Sequence, residues 1–209
     1  MSETPAAALA AIAERVRLCR ECRLYQGTNN AVPGSGNVAA DIVFIGEGPG
    51  FHEDRQGLPF VGRSGAYLEY LLGLIDMQRE QVFITNVVKH RPPDNRDPRP
   101  DEILACKVWL DEQLALIRPA VIATLGRFSM ARYFPNARIT RIHGQPRFGG
   151  SPVTAWYPLF HPAAALRNPG LRRDMEADIR RLPDLVAEVR QRRAQQQDAD
   201  EAPTQLSLF

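Results

Sequence analysis

Apolar positions along the chain fall into two kinds of run. Leu9, Ile12 and Val16 recur at helical spacing behind Thr4, a capping residue, and Pro5, which suits a first helical position. The spacing predicts a helix over 5–20. Asp41-Ile-Val-Phe-Ile-Gly46 is instead a short continuous apolar run that stops at glycine, as a strand buried on both faces does. Val82–Asn86 repeats that form. So does Ala120–Leu125, ended by Gly126. Val153–Phe160 is a fourth such run, interrupted by Pro158. Helical stretches lie between and after them. One covers about 65–75, capped by Ser64. A second runs from Pro100 to about Arg118, with Asp101 and Glu102 in its first turn. A short one follows Gly126, and a charged helix over 171–193 closes the pattern. Strands alternating with helices predict an α/β domain, a three-layer α/β/α arrangement around a central four-stranded, mostly parallel sheet. Residues 194–204 are polar and without periodicity, and read as a flexible linker after a domain spanning 1–193. An abrupt apolar segment follows, Gln205-Leu-Ser-Leu-Phe209.

Composition narrows the picture. A chain of 209 residues suits one ordinary domain with its own core. A net charge of +2 supplies no strong global field toward nucleic acid or membrane. Of the 26 basic residues only Lys89 and Lys107 are lysine. Arginine suits bidentate phosphate contacts, although such a bias also follows genome composition. No apolar run approaches the ~20 residues of a membrane span. Met-Ser-Glu-Thr-Pro carries an acid and lacks the basic start of a secretory signal, so the expected compartment is the reducing cytoplasm. There, three cysteines (Cys19, Cys22 and Cys106) argue against a disulfide scaffold, and Cys19-x-x-Cys22 reads as metal-binding or redox-active.

Ligands of open parallel sheets bind beyond the carboxyl ends of the strands. Three polar residues fall there: Glu47 in Gly46-Glu-Gly-Pro-Gly50, Asn86, and His161 in His161-Pro-Ala-Ala-Ala-Leu-Arg167. Singly, each also suits a cap or a loop. Together they place a carboxylate, an amide and an imidazole at equivalent strand ends. The glycine-rich segment is neither a dinucleotide fingerprint nor a P-loop, but its glycines let backbone approach a flat ligand. Phe60 is either core or a stacking platform. Cys19, Cys22, Cys106 and His90 form a set of four candidate metal ligands. Zinc accepts three Cys and one His, and iron–sulfur centres sometimes replace Cys by His.

These motifs resemble the iron–sulfur uracil-DNA glycosylases of family 4. The match comprises Cys19-x-x-Cys22, Gly46-Glu-Gly-Pro-Gly50, Glu53-Asp54-x-x-Gly57-x-Pro59-Phe60-Val-Gly-Arg63, Thr85-Asn86-Val-Val-Lys89, Arg91-Pro-Pro-x-Asn-Arg96, Leu125-Gly126 and His161-Pro-Ala-Ala-x-Leu-Arg167, in family order from 19 to about 180. One position departs: His90 stands where the family has its third cluster cysteine. The related branch that crosslinks to uracil-containing DNA is similar here, with a Cys₃His-bound cluster. The resemblance therefore implies a structural [4Fe-4S] cluster on Cys19, Cys22, His90 and Cys106, with zinc as the alternative. Arg91–Asp101 lacks the basic, His-bearing insertion of the crosslinking branch. A turnover glycosylase is implied. The alternatives are a uracil-DNA binding or crosslinking protein without turnover, or a zinc-stabilised hydrolase of another base or nucleoside.

The resemblance also implies roles. Uracil is flipped from DNA. Phe60 stacks on its face, Asn86 reads the O4/N3–H edge, and backbone at Gly48 contacts O2. His161 stabilises the negative charge developing on O2. Glu47 positions the attacking water. Leu166 fills the vacated stack, and Arg63 and Arg167 hold phosphates. The product is an abasic site, as in base excision repair. A monomer working at the nucleoid is implied. The end segment resembles the peptide with which bacterial repair proteins dock on the DNA sliding clamp, with Leu206, Leu208 and Phe209 as apolar anchors and Gln205 as a directional amide.

Overall fold

The computed structural model describes residues 4–201. The four expected apolar runs are strands: β2 (Ile42–Gly46), β3 (Phe83–Asn86), β4 (Val121–Leu125) and β6 (Thr154–Leu159). They pair in parallel in the order β3-β2-β4-β6. The sheet has six strands rather than four. β1 (Ser35–Gly36) joins β3 and β5 (Arg147–Gly149) joins β6, both antiparallel. Two- and three-residue edge strands carry no readable period, and glycines disguise both.

Pro158 does not interrupt β6. Ala155 donates to Ala120 and Leu159 accepts from Gly126, so odd-numbered residues of β6 face β4. Pro158 therefore faces the other side, beyond the last β5 pair at Trp156, where its carbonyl accepts from the Gly144 amide at 2.9 Å. There a missing N–H breaks no ladder bond.

Alternate residues of β2 divide the core into two layers. Ile42 and Phe44 pack with Leu68 and Leu71 of α3 (Arg63–Gly73), Met175 and Ile179 of α8 (Pro169–Arg180), and Leu185 and Val189 of α9 (Leu182–Glu201). Val43 and Ile45 pack with Ile12 and Val16 of α1 (Pro5–Arg17) and with Trp109 and Leu110 of α4 (Pro100–Ile117). Helices thus cover both faces, as expected. The short α2 (Phe51–Gln56), α5 (Arg127–Ala131), α6 (Ile139–Ile142) and α7 (Pro162–Ala165) line the ends of the sheet and its loops.

Helix boundaries differ from expectation in four places. α1 starts as predicted, with Thr4 Oγ1 accepting from the Ala7 amide at 3.3 Å, but it stops at Arg17. The pair Cys19/Cys22 therefore lies in the following loop. α3 starts behind Gly62 instead of Ser64. The single closing helix is two, α8 and α9, broken at Arg181 because Pro183 has no N–H for the Ile179 carbonyl. Finally, α9 runs to Glu201 through most of the segment read as linker. Its glutamines and alanines are good helix formers, and Gln196 bonds Ser151 Oγ and the Val153 amide at 3.3 Å each. Residues 205–209 lie outside the described residues. Among the described residues no helix is long and apolar enough to cross a membrane.

Candidate active site

The parallel register pairs Gly46 with Asn86 at the carboxyl edge of β2 and β3. The Val87 and Val88 amides extend that pairing, donating to Gly46 O and Glu47 O at 3.1 Å each. His161 follows β6 and approaches Gly126 at the end of β4. A Cβ on Gly126 would lie 3.1 Å from the His161 Cβ. Glu47, Asn86 and His161 thus share one edge of the sheet. Phe60 arrives from the loop between α2 and α3, its ring stacked beside the His161 imidazole with centroids 5.8 Å apart.

Gly46 is the floor of this arrangement. A Cβ there would overlap Asn86 Oδ1 and stand 2.7 Å from Phe60 Cζ. Asn86 is 1% exposed, and its Oδ1 is buried with no hydrogen-bond partner among the described residues. Buried polar atoms are nearly always paired, so an orphan needs a reason. Here it lies against an aromatic ring and a glycine, an arrangement that suits a flat partner bearing an N–H.

Phe60 is held against its own preference. Its φ is 51°, a left-handed conformation uncommon for a bulky residue. Three contacts hold it. Arg79 donates to Phe60 O at 2.8 Å and to Pro59 O. Glu53 Oε1 accepts from the Val61 and Gly62 amides, 2.9 Å each. Gly65 leaves space that a Cβ would take from Phe60 O. The sequence motif around Phe60 contains Glu53, but nothing in it points to Arg79.

His161 caps α7, its Nδ1 accepting from the Ala163 amide at 3.1 Å. An accepting Nδ1 puts the proton of the neutral ring on Nε2, which is therefore a donor. Burial lowers the ring to about 4, with Glu53 opposing the shift, so the imidazole stays neutral at physiological pH. Glu47 is half-buried, and burial raises its carboxyl above the ordinary range. Asp97 adds to that shift and Arg127 opposes it. Arg127 and Asp97 are themselves ion-paired beside it.

A buried amine that sequence reasoning missed lies behind Asn86. Lys89 Nζ is fully enclosed and donates to Thr85 Oγ1 (2.6 Å), Gln113 Oε1 (2.9 Å) and Asn86 O (3.0 Å). It fixes the backbone of Asn86 from below. A lysine directly after an apolar strand run was the available signal.

The three thiols belong to the core layer that packs on α1 and α4. Cys19 and Cys106 are buried and Cys22 is partly so. Cys19 Sγ accepts from Trp109 Nε1 at 3.3 Å and Cys106 Sγ from the Lys89 amide at 3.4 Å. A hydrogen bond between Cys22 and Cys106 lowers the former thiol and raises the latter, with burial adding to the rise at Cys106. His90 is 4% exposed, and burial lowers its ring while the Asp54 charge opposes. The loop between His90 and α4 is stapled by Arg96, which binds Glu102 through two bonds of 2.6 and 2.8 Å. Among the described residues no three His, Cys, Asp or Glu side chains stand at metal-binding spacing. The donor chemistry nevertheless fits a thiolate-bound group: buried sulfurs receiving N–H bonds are what such a centre uses.

The remaining expected residues surround this edge. Gly48 is partly buried against Val88, and Arg63 opens α3 exposed. Leu166, 39% exposed, and Arg167 form the turn between α7 and α8 directly after the His161 segment.

An aromatic ring, a free amide oxygen, a neutral N–H donor and a carboxylate of raised pKa gathered around a glycine suit excision chemistry on a planar heterocycle. They lie at the carboxyl edge of a doubly covered parallel sheet. The chain belongs to the Uracil DNA glycosylase superfamily, whose family model matches residues 33–182. Within it, the chain is similar to the type-4 uracil-DNA glycosylase of Sulfurisphaera tokodaii, 44% identical over 84% of this chain and 83% of that one. It is likewise similar to the type-4 enzymes of Archaeoglobus fulgidus (43% identical; 83% and 91% covered) and Thermotoga maritima (42%; 84% and 93%).

Proposed function

We infer that the protein is a monofunctional uracil-DNA glycosylase of DNA repair, which flips uracil from DNA and hydrolyses its N-glycosidic bond. The observation that carries this reading is the unpartnered Asn86 Oδ1 beside the Phe60 ring. An amide offers an acceptor and a donor on one group, which matches the N3–H/O4 edge of uracil and mismatches cytosine, whose edge reverses those roles. Phe60 takes the base face, and backbone at Gly48 meets O2. As the bond from C1′ to the base nitrogen breaks, its electron pair leaves with uracil and charge gathers on O2. His161 Nε2–H meets that charge without giving up its proton, which is electrostatic stabilisation of the leaving group. Glu47, ionised, orients water toward C1′ and faces the cationic sugar. Water supplies the hydroxyl at C1′ and the proton that uracil finally takes.

Leu166 enters the space left by the flipped nucleotide, and Arg63 and Arg167 hold phosphates. Cys19, Cys22 and Cys106, with His90 as fourth ligand, would hold a [4Fe-4S] cluster. Its contribution is structural, tying the Cys19–Cys22 loop to the segment between Asn86 and α4, because glycosidic hydrolysis moves no electrons. Gln205, Leu206, Leu208 and Phe209 are assigned to docking on the DNA sliding clamp. The deciding experiment is a multiple-turnover assay on a uracil-bearing oligonucleotide. Free uracil and alkali-labile abasic sites in excess over enzyme are expected. A single stoichiometric adduct, or no release, overturns the reading.

A further inference from the structure

Phe51, the first residue of α2, belongs to neither core layer and is 47% exposed. Two guanidiniums lie over its ring, Arg91 Cζ at 5.3 Å and Arg55 Cζ at 5.6 Å from the centroid. The His52 imidazole meets it edge-on at 5.5 Å. Arg91 is held in place, its Nε donating to Asn95 Oδ1 at 2.8 Å. An isolated exposed apolar side chain needs no explanation. A half-exposed ring held against two cations, next to the segment that carries Glu47 and Gly48, does.

The position is specific. Phe51 follows Gly50, the last glycine of the segment that carries Glu47 and Gly48. Pro92, next to Arg91, lies 3.6 Å from where a Cβ on Gly48 would stand. His52 lies 3.4 Å from the same point on Gly62, two residues past Phe60. Phe51 is therefore half-exposed beside the segments that carry Gly48 and Phe60, whereas Phe60 is buried.

We propose that Phe51, with Arg55 and Arg91, is a second stacking site, which receives an unpaired nucleobase adjacent to the flipped uracil while the guanidiniums meet the phosphates on either side of it. This rests on the uracil-excision reading above. Flipping one nucleotide removes a stacking partner from its neighbours. A half-exposed aromatic platform backed by cations replaces that partner whatever the base, since every base has a π-face. The site therefore favours single-stranded and frayed uracil DNA without reading its sequence.

The test uses full-length protein and oligonucleotides carrying a 2′-fluorinated deoxyuridine that resists cleavage, read by fluorescence anisotropy. Phe51→Ala is expected to weaken single-strand binding about tenfold. Phe51→Trp keeps the affinity, and Phe51→Leu, which retains apolar bulk, does not. An abasic spacer placed beside the uracil, on one side, costs wild-type protein the same factor and Phe51→Ala nothing further. Saturated turnover on cleavable DNA stays unchanged. Wild-type affinity in Phe51→Ala or Phe51→Leu, or additive losses with the spacer on both sides, overturns the proposal. A wild-type protein that releases no uracil overturns instead the reading on which it rests.

Discussion

The rings of Phe60 and His161 lie side by side, 29° from coplanar, although one belongs to the loop after α2 and the other to the loop after β6. The contact joins Phe60, which lies against Gly46, to His161, which lies against Gly126. It means that the residues proposed as base platform and leaving-group donor are set by one piece of packing.

Removing either polar arm should stop the reaction without unfolding the protein. Asn86→Ala and His161→Ala are each expected to lower kcat/KM by about a hundredfold or more, the usual cost of a lost donor to developing charge. Circular dichroism and Tm should stay near wild type. Wild-type rates in both variants would remove the site assignment.

Gly46→Ala tests the floor. Its methyl would overlap Asn86 Oδ1 and crowd Phe60. Overpacking of this kind costs ~1–3 kcal/mol. Excision should fall much further than that, because the displaced groups, Asn86 and Phe60, are those proposed to hold the base. The comparison to make is kcat/KM against thermal stability in the same preparation.

The pH profile has a defined sign. His161 is lowered from 6.5 to about 4 on folding. Between those values the unfolded chain takes up a proton that the folded chain refuses, so its contribution to stability is whole above 6.5 and is lost as pH falls toward 4. His161 stays a neutral donor through this range and produces no acid limb in the rate near 6.5. The limb belongs to Glu47, raised above 4.5, and activity declines as pH drops through its raised value. Glu47→Gln should lower the rate by about a hundredfold or more and flatten the limb. A wild-type limb centred at 6.5 and unchanged by Glu47→Gln would contradict both assignments.

The metal is directly measurable. Protein purified without chelators should be brown and contain iron, and Cys19→Ser or Cys106→Ser should bleach it. His90→Cys should keep the colour, since it supplies a fourth thiolate. Colourless protein holding one zinc would reverse the assignment while keeping the ligands.

Deleting residues 205–209 should abolish retention on immobilised sliding clamp and leave excision from a free oligonucleotide intact. Retention by the truncated chain would remove the docking segment.

Much of the fold and site was readable in the residues for a physical reason. β2, β3, β4 and β6 are buried on both faces, so their apolar runs are unbroken, and the residues at the end of each run must lie at the ligand-binding edge. That rule alone collects Glu47, Asn86 and His161. It is blind to β1 and β5, whose glycine-containing strands are too short to show a period. It also misses the groups that act from behind. Arg79 reaches Phe60 O from beyond α3, and Lys89 is enclosed by residues from two elements. Such contacts depend on tertiary packing and have no local signature. The polar end of α9 misled for the opposite reason: a helix held by Arg193 and Gln196 needs no apolar stripe at its end.

Arg193 also settles a direction. It donates to the carbonyls of Val153 and Pro119, at the starts of β6 and β4, while the early turns of α9 lie by Tyr157, farther along β6. α9 therefore runs counter to the parallel strands and carries the chain away from the edge where uracil is read. The carboxyl edge of the sheet thus keeps its approach to DNA clear of α9.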